Sequence, residues 1–359
     1  MNNILSCLAL GAILAAAPAW AAERIAPTDP QLQYTGRIDT GNSRGAVLSW
    51  PGSAVAGTFT GTSLSIVLDD ARGMNYFNVY VDGARQLPVI LQLDKGEKSY
   101  LVANGLAPGR HTFRLVKRTE GEEGATVFRG LVLDDGAGLA APPPRPRRRI
   151  EFFGDSVTSG MGNEAPDAGS DEHGKDKNIE RSYAGIAARQ LGAEAHFTSQ
   201  SGIGVMVSWF PFTMPDFYDQ LDAVGDNDSR WDFGRWTPDV VVVNLMQNDS
   251  WLIDRERKLQ PIPGDAERIA AYGAFIARLR AVYPKAYIVC ALGSMDATRP
   301  GSPWPGYVTA AVNRLRAAGD RRIDTLFFPF TGYEKHPRVA QHQANADLLS
   351  DFVRKRMGW

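Results

Sequence analysis

The period of the hydrophobic pattern changes near the middle of this 359-residue chain, and the change divides the fold in two. Before about residue 135, short apolar stretches alternate with polar residues, as Leu64, Ile66 and Leu68 do. Alternation with a period of two is typical of a β-strand with one buried face. Turn residues such as Gly, Asp and Pro separate these stretches. Residues 34–135 are therefore predicted to form an all-β sandwich of two packed sheets.

The second part of the chain alternates strand-like and helix-like segments. Residues 136–148 are rich in Gly, Ala, Pro and Arg and predict an extended linker. The predicted strands are Ile150–Phe153, Ala195–Thr198, Val240–Leu245, Tyr287–Leu292 and Leu326–Phe330, and the predicted helices are Tyr183–Leu191, Ile269–Tyr283, Tyr307–Ala317 and Val339–Met357. This alternation over residues 149–359 predicts a parallel sheet covered by helices, with a functional site at the carboxyl ends of its strands.

Residues 1–22 have the composition of a secretory signal. Ile4 to Ala17 is an almost continuous apolar stretch, and Ala19-Trp20-Ala21 offers small residues for cleavage. Pro18 interrupts a run that is already short for a bilayer, which disfavours an uncleaved anchor. We expect export to the periplasm or the medium, with no membrane span after removal of the signal.

Charge and cysteine content exclude several classes of function. The formal net charge is −1 and no basic face is evident, so nucleic acid is not expected as a partner. Cys7 lies in the predicted signal, which leaves Cys290 alone and no internal disulfide. The apolar run around Cys290 predicts a buried, unreactive thiol. The scattered histidines form no metal-binding pattern, and we expect no metal.

Chemistry-bearing residues follow four of the predicted strands. These segments are Gly154-Asp155-Ser156, Ser201-Gly202-Ile203-Gly204, Met246-Gln247-Asn248-Asp249 and Gly332-Tyr333-Glu334-Lys335-His336-Pro337. Because the carboxyl ends of parallel strands share one edge of a sheet, the four segments are expected to converge. Together they supply a hydroxyl, hydrogen-bond donors and an imidazole, the groups that nucleophilic acyl transfer requires.

These segments resemble the motifs of the SGNH, or GDSL-type, hydrolases, and the mature chain resembles the two-domain acetyl esterases of carbohydrate esterase family two. The resemblance extends to Gly162-Asn163 and, in the first part, to Leu106-Ala107-Pro108-Gly109, Lys117-Arg118-Thr119-Glu120 and Phe128-Arg129-Gly130. It implies an N-terminal jelly-roll sandwich followed by an SGNH hydrolase domain. It also implies an exported serine esterase that removes O-acetyl groups from xylan, mannan or glucan fragments, with a preference for the primary 6-O position.

The resemblance assigns a role to each segment. Ser156 is the expected nucleophile and His336 the base that takes and returns its proton. The backbone N–H groups of Ser156 and Gly202 and the side-chain amide of Asn248 are expected to bind the oxyanion. The chemistry needs no cofactor.

Two positions depart from the superfamily pattern. Met246 stands where glycine is usual, and its side chain either narrows the acyl pocket or packs beneath it. Tyr333 occupies the place of the aspartate that commonly precedes the histidine by three residues. Glu334, two residues before His336, is the candidate for the acid that orients the imidazole. The alternative is a Ser–His dyad.

Several other residues receive a more specific expectation. Trp251 and Trp304 are the candidates for sugar contact within an aromatic set expected near the mouth of the site, which also includes Trp209, Phe210 and Phe212. His342 is expected to be a solvated helix position. The polar stretch 171–177, with His173, is expected to be an exposed insertion.

Two further functions remain open at this point. One is a related hydrolase, either a lipase-like enzyme or a peptidoglycan O-acetyl esterase, because a fold does not fix the substrate. The other is a non-catalytic glycan-binding protein in which the sandwich binds the glycan.

Overall fold

A computed structural model describes residues 22–83, 87–331 and 335–359. The predicted signal, apart from Ala22, lies outside these residues. Within them the chain builds two antiparallel sheets followed by one parallel sheet. No helix in the described part of the chain combines the length and the apolarity needed to cross a membrane.

Antiparallel strands form the N-terminal part. They are β1 (Glu23–Ile25), β2 (Gln33–Thr35), β3 (Ala46–Leu48), β4 (Ala54–Gly61), β5 (Leu64–Asp70), β6 (Tyr76–Val81), β7 (Val89–Gln92), β8 (Gly96–Ala103), β9 (Gly109–Lys117), β10 (Thr126–Leu133) and β11 (Leu139–Ala140). One sheet has the order β1-β10-β5-β8, and β3 also pairs with β10. The other has the order β11-β4-β9-β6-β7, and β2 also pairs with β4. Leu64 and Ile66 from the first sheet and Phe59 and Phe113 from the second share one apolar core, which confirms the predicted sandwich.

The sandwich extends beyond the predicted range at both ends. Strand β1 pairs with β10, with Glu23 opposite Leu133, so the sheet begins before residue 34. Part of the predicted linker is also a strand, since Leu139 pairs with Phe59 in β4. Both added strands have at most three residues, which is too short for a period of two to be recognised in the sequence.

The C-terminal part contains the predicted parallel sheet. Its strands are β12 (Arg148–Gly154), β13 (Ala193–Ser199), β14 (Val240–Asn244), β15 (Tyr287–Leu292) and β16 (Ile323–Phe327), in the order β13-β12-β14-β15-β16. Its helices are α1 (Ser156–Ser159), α2 (Tyr183–Gln190), α3 (Met214–Phe217), α4 (Gln247–Asp254), α5 (Asp265–Val282), α6 (Trp304–Ala317) and α7 (Val339–Met357).

Apolar layers lie on both faces of this sheet. Val241 and Val243 of β14 belong to the core that also contains residues of α5 and α6. Val240 and Val242 belong to a second core with residues of α2 and α7. A strand buried on both faces has a continuous apolar sequence, and this is why β14 was recognisable from the sequence alone.

The last strand differs from its prediction. Strand β16 covers Ile323–Phe327 rather than Leu326–Phe330. Most of its residues are half-buried because it lies at the edge of the sheet. Polar Asp324 and Thr325 interrupt its apolar pattern. The more apolar stretch that follows therefore led to a predicted strand that begins and ends three residues too late.

Candidate active site

The register of the parallel sheet brings three of the four predicted segments to one edge. Gly154 at the end of β12 pairs with Ser199 of β13 on one side and with Asn244 of β14 on the other. Ser156, Gly202 and Asn248 therefore follow strand ends that lie level with one another. The predicted convergence of these segments is what the strand order produces.

A tight strand-to-helix turn presents Ser156. The Asp155 carboxylate accepts the N–H of Val157 at 3.0 Å and caps the single-turn helix α1. Asp155 therefore orders the turn that precedes the nucleophile. Position 154 has to be glycine, because a Cβ there would lie 2.0 Å from Oγ1 of Thr158. The helix thus turns directly back on the strand and leaves the Ser156 hydroxyl at the rim.

His336 links Ser156 to a carboxylate. Its Nε2 lies 2.8 Å from Oγ of Ser156, and its Nδ1 lies 3.0 Å from Oδ2 of Asp171. The same Asp171 oxygen also accepts the backbone N–H of His336 at 3.0 Å. Asp171 therefore holds His336 both at its backbone and at one ring nitrogen, with the other ring nitrogen directed at the hydroxyl, which is the arrangement of a Ser-His-Asp triad.

Asp171 is the site residue that the sequence analysis missed. The stretch 171–177 was predicted to be exposed, but the Asp171 side chain is only 15% exposed and forms an ion pair with Arg338 at 2.6 Å. Burial raises the pKa of Asp171, but hydrogen bonds from His336 and Arg338 outweigh it and hold that pKa below the ordinary value. Asp171 and His336 are 165 positions apart, so no local spacing signals their contact. Glu334, the predicted acid, lies outside the described residues.

Two cationic side chains close to His336 in sequence fix the loop that carries Asp171. Nζ of Lys335 donates to the carbonyl oxygens of Ala168 and Gly169 at 3.0 and 2.6 Å. Nη1 of Arg338 donates to the carbonyl oxygen of Gly162 at 3.0 Å. The acid is thus held on the histidine by side chains adjacent to that histidine in sequence.

Three donors predicted for the oxyanion lie on the neighbouring turns. Among the described residues, the N–H groups of Ser156 and Gly202 donate to no protein acceptor. Gly202 has a φ of +82°, which favours glycine. Nδ2 of Asn248 donates one hydrogen to the carbonyl oxygen of Ile203 at 2.9 Å, and its second hydrogen is not used by that bond. Asp249 braces the same turn by accepting the N–H of Val205 at 2.9 Å.

Met246 packs beneath the site. Its side chain is fully buried in the apolar core and does not line an acyl pocket. Its φ is +85°, a conformation that favours the glycine usual at this place. Of the two alternatives left open by the sequence, the structure therefore supports packing.

The aromatic residues differ from expectation. Trp304 begins α6, is 2% exposed and donates from its indole to Asp254 at 2.8 Å. A ring enclosed in this way has no face for a sugar, so the prediction for Trp304 is wrong. Trp251 lies in α4, half-buried, with the Arg255 guanidinium 4.2 Å from its ring centre. Trp209 is 55% exposed and contacts the turn at Gly202, where a Cβ would lie 3.2 Å from the indole.

Other histidine and cysteine predictions have mixed outcomes. His342 is buried, and its Nδ1 accepts the N–H of Tyr183 at 3.1 Å, so the prediction of a solvated position is wrong. Burial lowers the pKa of His342 to about 3. His173 is exposed and Cys290 is buried, as expected. The described residues contain no group of three or more His, Cys, Asp or Glu side chains suited to a metal ion.

Comparisons with known families divide the chain in the same way as the structure. Residues 34–143 match the carbohydrate esterase 2 N-terminal family, and residues 152–352 match the GDSL-like lipase/acylhydrolase family.

Among solved structures, the chain is similar to a family two carbohydrate esterase from Clostridium thermocellum in complex with cellohexaose. The identity is 32%, the TM-score is 0.82, and the match covers 91% of this chain and 99% of that one. A family two carbohydrate esterase from Cellvibrio japonicus gives 25% identity, a TM-score of 0.83 and coverage of 95% and 99%.

Among characterised relatives, cellulase/esterase CelE of Acetivibrio thermocellus is 33% identical over 92% of this chain. The chain spans only 40% of the length of that protein. An acetylxylan esterase/glucomannan deacetylase of Cellvibrio japonicus is 26% identical over 93% of this chain and 91% of its own length.

Proposed function

Because the chain belongs to carbohydrate esterase family two, with a GDSL-like acylhydrolase domain, we propose that it removes O-acetyl groups from plant-type polysaccharides or their oligosaccharides. The chain is a carboxylic ester hydrolase by family. The names of the relatives, which include an acetylxylan esterase/glucomannan deacetylase, support acetylated carbohydrate as the substrate.

One observation carries the catalytic part of the proposal: the 2.8 Å contact between Nε2 of His336 and Oγ of Ser156. As the hydroxyl oxygen attacks the acetyl carbonyl carbon, its proton passes to Nε2. Asp171 stabilises the imidazolium through Nδ1–H and keeps the ring in the required tautomer. We assign to Asp171 the role that the sequence analysis gave to Glu334.

The negative charge that develops on the carbonyl oxygen needs donors that are already in place. The N–H groups of Ser156 and Gly202 and the amide of Asn248 are assigned this role. When the tetrahedral intermediate collapses, the bond to the sugar oxygen breaks and that oxygen takes the proton from Nε2. Water, activated by His336, then attacks the acetyl-serine and releases acetate with regeneration of the Ser156 hydroxyl.

The exposed ring nearest to the oxyanion turn is the better candidate for sugar contact. The indole of Trp209 is open to solvent and lies beside Gly202. An aromatic face in such a position stacks on the apolar face of a pyranose. We therefore assign the sugar platform to Trp209, with Trp251 as a secondary contact.

The test is release of acetate from acetylated xylan and glucomannan oligosaccharides. The purified Ser156→Ala variant is expected to lose acetate release with an unchanged circular dichroism spectrum. p-Nitrophenyl esters of increasing chain length provide the specificity control, with acetate preferred over long chains. Acetate release by Ser156→Ala at the wild-type rate would refute the proposal, and a preference for long chains would support a lipase instead.

Export is part of the proposal, because polysaccharides of this kind lie outside the cytoplasm. The apolar stretch before Ala22 supports a cleaved signal. N-terminal sequencing of the secreted protein is expected to begin near Ala22 or Glu23. Retention of Met1 in the mature protein would contradict this part.

A further inference from the structure

A segment of the sandwich reaches into the catalytic half. The chain leaves β9 at Lys117, and Glu120 follows three residues later. One carboxylate oxygen of Glu120 accepts the backbone N–H of Ser201 at 2.6 Å, and the other accepts the Ser201 hydroxyl. Ser201 directly precedes Gly202, the residue whose N–H is assigned to the oxyanion.

The Glu120 carboxylate is buried, with 1% of the residue exposed, and it pairs with a lysine that it shares with other carboxylates. Nζ of Lys177 lies 3.0 Å from Glu120 and 2.6 Å from Glu123. Burial alone would raise the pKa of Glu120, but Lys177 and the two hydrogen bonds from Ser201 lower it. The carboxylate therefore stays ionised at neutral pH and accepts both bonds as a charged group, which makes them stronger than neutral ones.

The same segment also holds the loop of the triad acid. The Arg118 guanidinium donates to the carbonyl oxygens of Lys175 and Lys177 at 2.9 and 3.3 Å. It also pairs with Glu164 at the start of that loop. Asp171 lies between these anchor points. One stretch of the sandwich is thus bonded both to the oxyanion turn and to the loop that orients His336.

The turn at Gly202 does not need Glu120 in order to close. It is already closed by its own backbone, with Ile203 N–H donating to Gln200 at 3.3 Å and Trp209 N–H donating to Gly202 at 3.0 Å. The bond from Glu120 instead fixes the peptide of Ser201, which sets the direction of the next peptide and of its N–H. A donor misplaced by about 1 Å reduces rates by about 10²-fold, so this direction matters for catalysis.

We propose that Glu120 of the sandwich is a positioning residue that aims the Gly202 N–H at the oxyanion, so that both domains together form the catalytic unit. This inference rests on the proposed esterase function. Glu120 does not touch the substrate and acts only through Ser201.

Glu120→Gln tests the proposal, because it keeps the shape and removes the charge. With p-nitrophenyl acetate we expect kcat to fall by about 10- to 100-fold, with KM within about threefold of wild type. The inhibition constant of methylboronic acid, which forms a tetrahedral adduct on a serine, is expected to rise by the same factor as kcat/KM falls. A merely structural role would lower the amount of folded enzyme and leave both constants of the folded fraction unchanged.

Glu122→Gln is the matched control. Glu122 lies 3.1 Å from the same Lys177, but its side chain is 60% exposed and is not bonded to Ser201. Its kcat is expected to equal that of wild type. An equal loss in both variants would overturn the proposal, because it would assign the effect to the charge of Lys177.

A second variant covers failure of Glu120→Gln to fold. Glu120→Gln and Glu123→Gln combined with Lys177→Met remove both buried carboxylates together with the cation that they share, so no buried charge of this cluster is left without its partner. The folded triple variant is expected to show the same loss of kcat, and wild-type kcat in it would overturn the proposal. Failure of the proposed function is seen separately, as acetate release by wild type that Ser156→Ala does not abolish.

Discussion

Three aspartates near Ser156, of which Asp155 and Asp249 are buried and Asp171 is half-buried, have different hydrogen-bond partners and differ in ionisation. Asp171 accepts from His336 and Arg338, and its pKa is lowered against the effect of burial. Asp155 accepts the N–H of Val157, its other oxygen has no hydrogen-bond partner among the described residues, and burial raises its pKa to about 7. Burial also raises the pKa of Asp249, although backbone N–H groups that donate to its carboxylate oppose this shift. Only Asp171 therefore combines a firm negative charge with contact to the imidazole.

Asp171→Asn is expected to lower kcat by about 10²- to 10⁴-fold, because an amide at this place no longer stabilises the imidazolium. The matched comparison is Glu334→Gln, which we expect to have the smaller effect because Asp171 already lies 3.0 Å from Nδ1 of His336. The measurement is kcat on p-nitrophenyl acetate for both variants at one pH. A larger loss in Glu334→Gln would return the orienting role to that residue.

Asp155→Asn is expected to change the pH dependence of stability. Because the pKa of Asp155 is higher in the folded state, its protonation stabilises the fold. This stabilisation is fully present below the unfolded pKa and is lost as the pH rises through about 7. Wild type should therefore lose unfolding free energy between about pH 4 and pH 7 from this group. The variant, whose amide oxygen still accepts the Val157 N–H, should have a flatter profile in urea denaturation. Parallel profiles for the two proteins would show that Asp155 ionises normally.

At the scale of elements, the junction between β12 and α1 permits almost no variation. The last residue of the strand, the cap and the single helical turn occupy six consecutive positions, from Gly154 to Ser159. The side chain of Thr158 fills the space above Gly154 and bonds the Tyr183 hydroxyl at 2.8 Å. The position of the nucleophile thus depends on packing between α1, β12 and α2.

Gly154→Ala is expected to destabilise the protein and to lower kcat together, because the added methyl overlaps Thr158. Overpacking of this kind lowers the free energy of unfolding by about 1–3 kcal/mol. Thermal unfolding and kcat are the measurements. Wild-type values for both would mean that the junction adapts without cost.

Gly306→Ala is the control for that substitution and a prediction in itself. Gly306 lies inside α6, and a Cβ there meets nothing within 4 Å. Because alanine is the better helix former, we expect a gain of about 0.5–1 kcal/mol with unchanged kcat. A loss of stability in chemical denaturation would contradict the open environment of this position.

At the scale of the whole molecule, a buried ion pair joins the two domains. Arg37, which precedes β3 in the sandwich, lies 2.9 Å from Glu151 of β12, and both side chains are almost fully buried. Nη1 of Arg37 also donates to the carbonyl oxygens of Tyr218 and Gln220 at 2.6 and 2.9 Å. The hydroxyl of Tyr283 donates to the same Glu151 at 2.5 Å. Together with the contacts of Glu120, these bonds form a buried polar interface between the two domains.

Arg37→Met is expected to lower the free energy of unfolding by about 3–5 kcal/mol, because it leaves the Glu151 carboxylate buried without its cation. Adding Glu151→Gln should recover part of that loss. Urea unfolding followed by both circular dichroism and tryptophan fluorescence is the measurement, with one shared transition expected. A change below about 1 kcal/mol would show that solvent or the remaining donors compensate for the lost charge.

The sequence by itself determined the two-part architecture, because strand alternation and strand–helix alternation are local patterns. It also predicted the positions of Ser156, His336, Gly202 and Asn248, since each follows a predicted strand or precedes a predicted helix. The sequence did not predict the short edge strands β1 and β11 and gave the wrong bounds for the edge strand β16, because few of their residues are buried and the periodic signal is small.

Only the tertiary structure decided the contacts between distant segments. Asp171 lies in a polar loop whose sequence resembles solvent-exposed chain, and it is half-buried because Arg118, Lys335 and Arg338 hold that loop against His336. Trp304 and His342 are polar-tipped side chains whose burial depends on a partner elsewhere, Asp254 for the one and Tyr183 for the other. Periodicity reports which face of an element is apolar, whereas the partner of a buried polar group is fixed only when the elements pack.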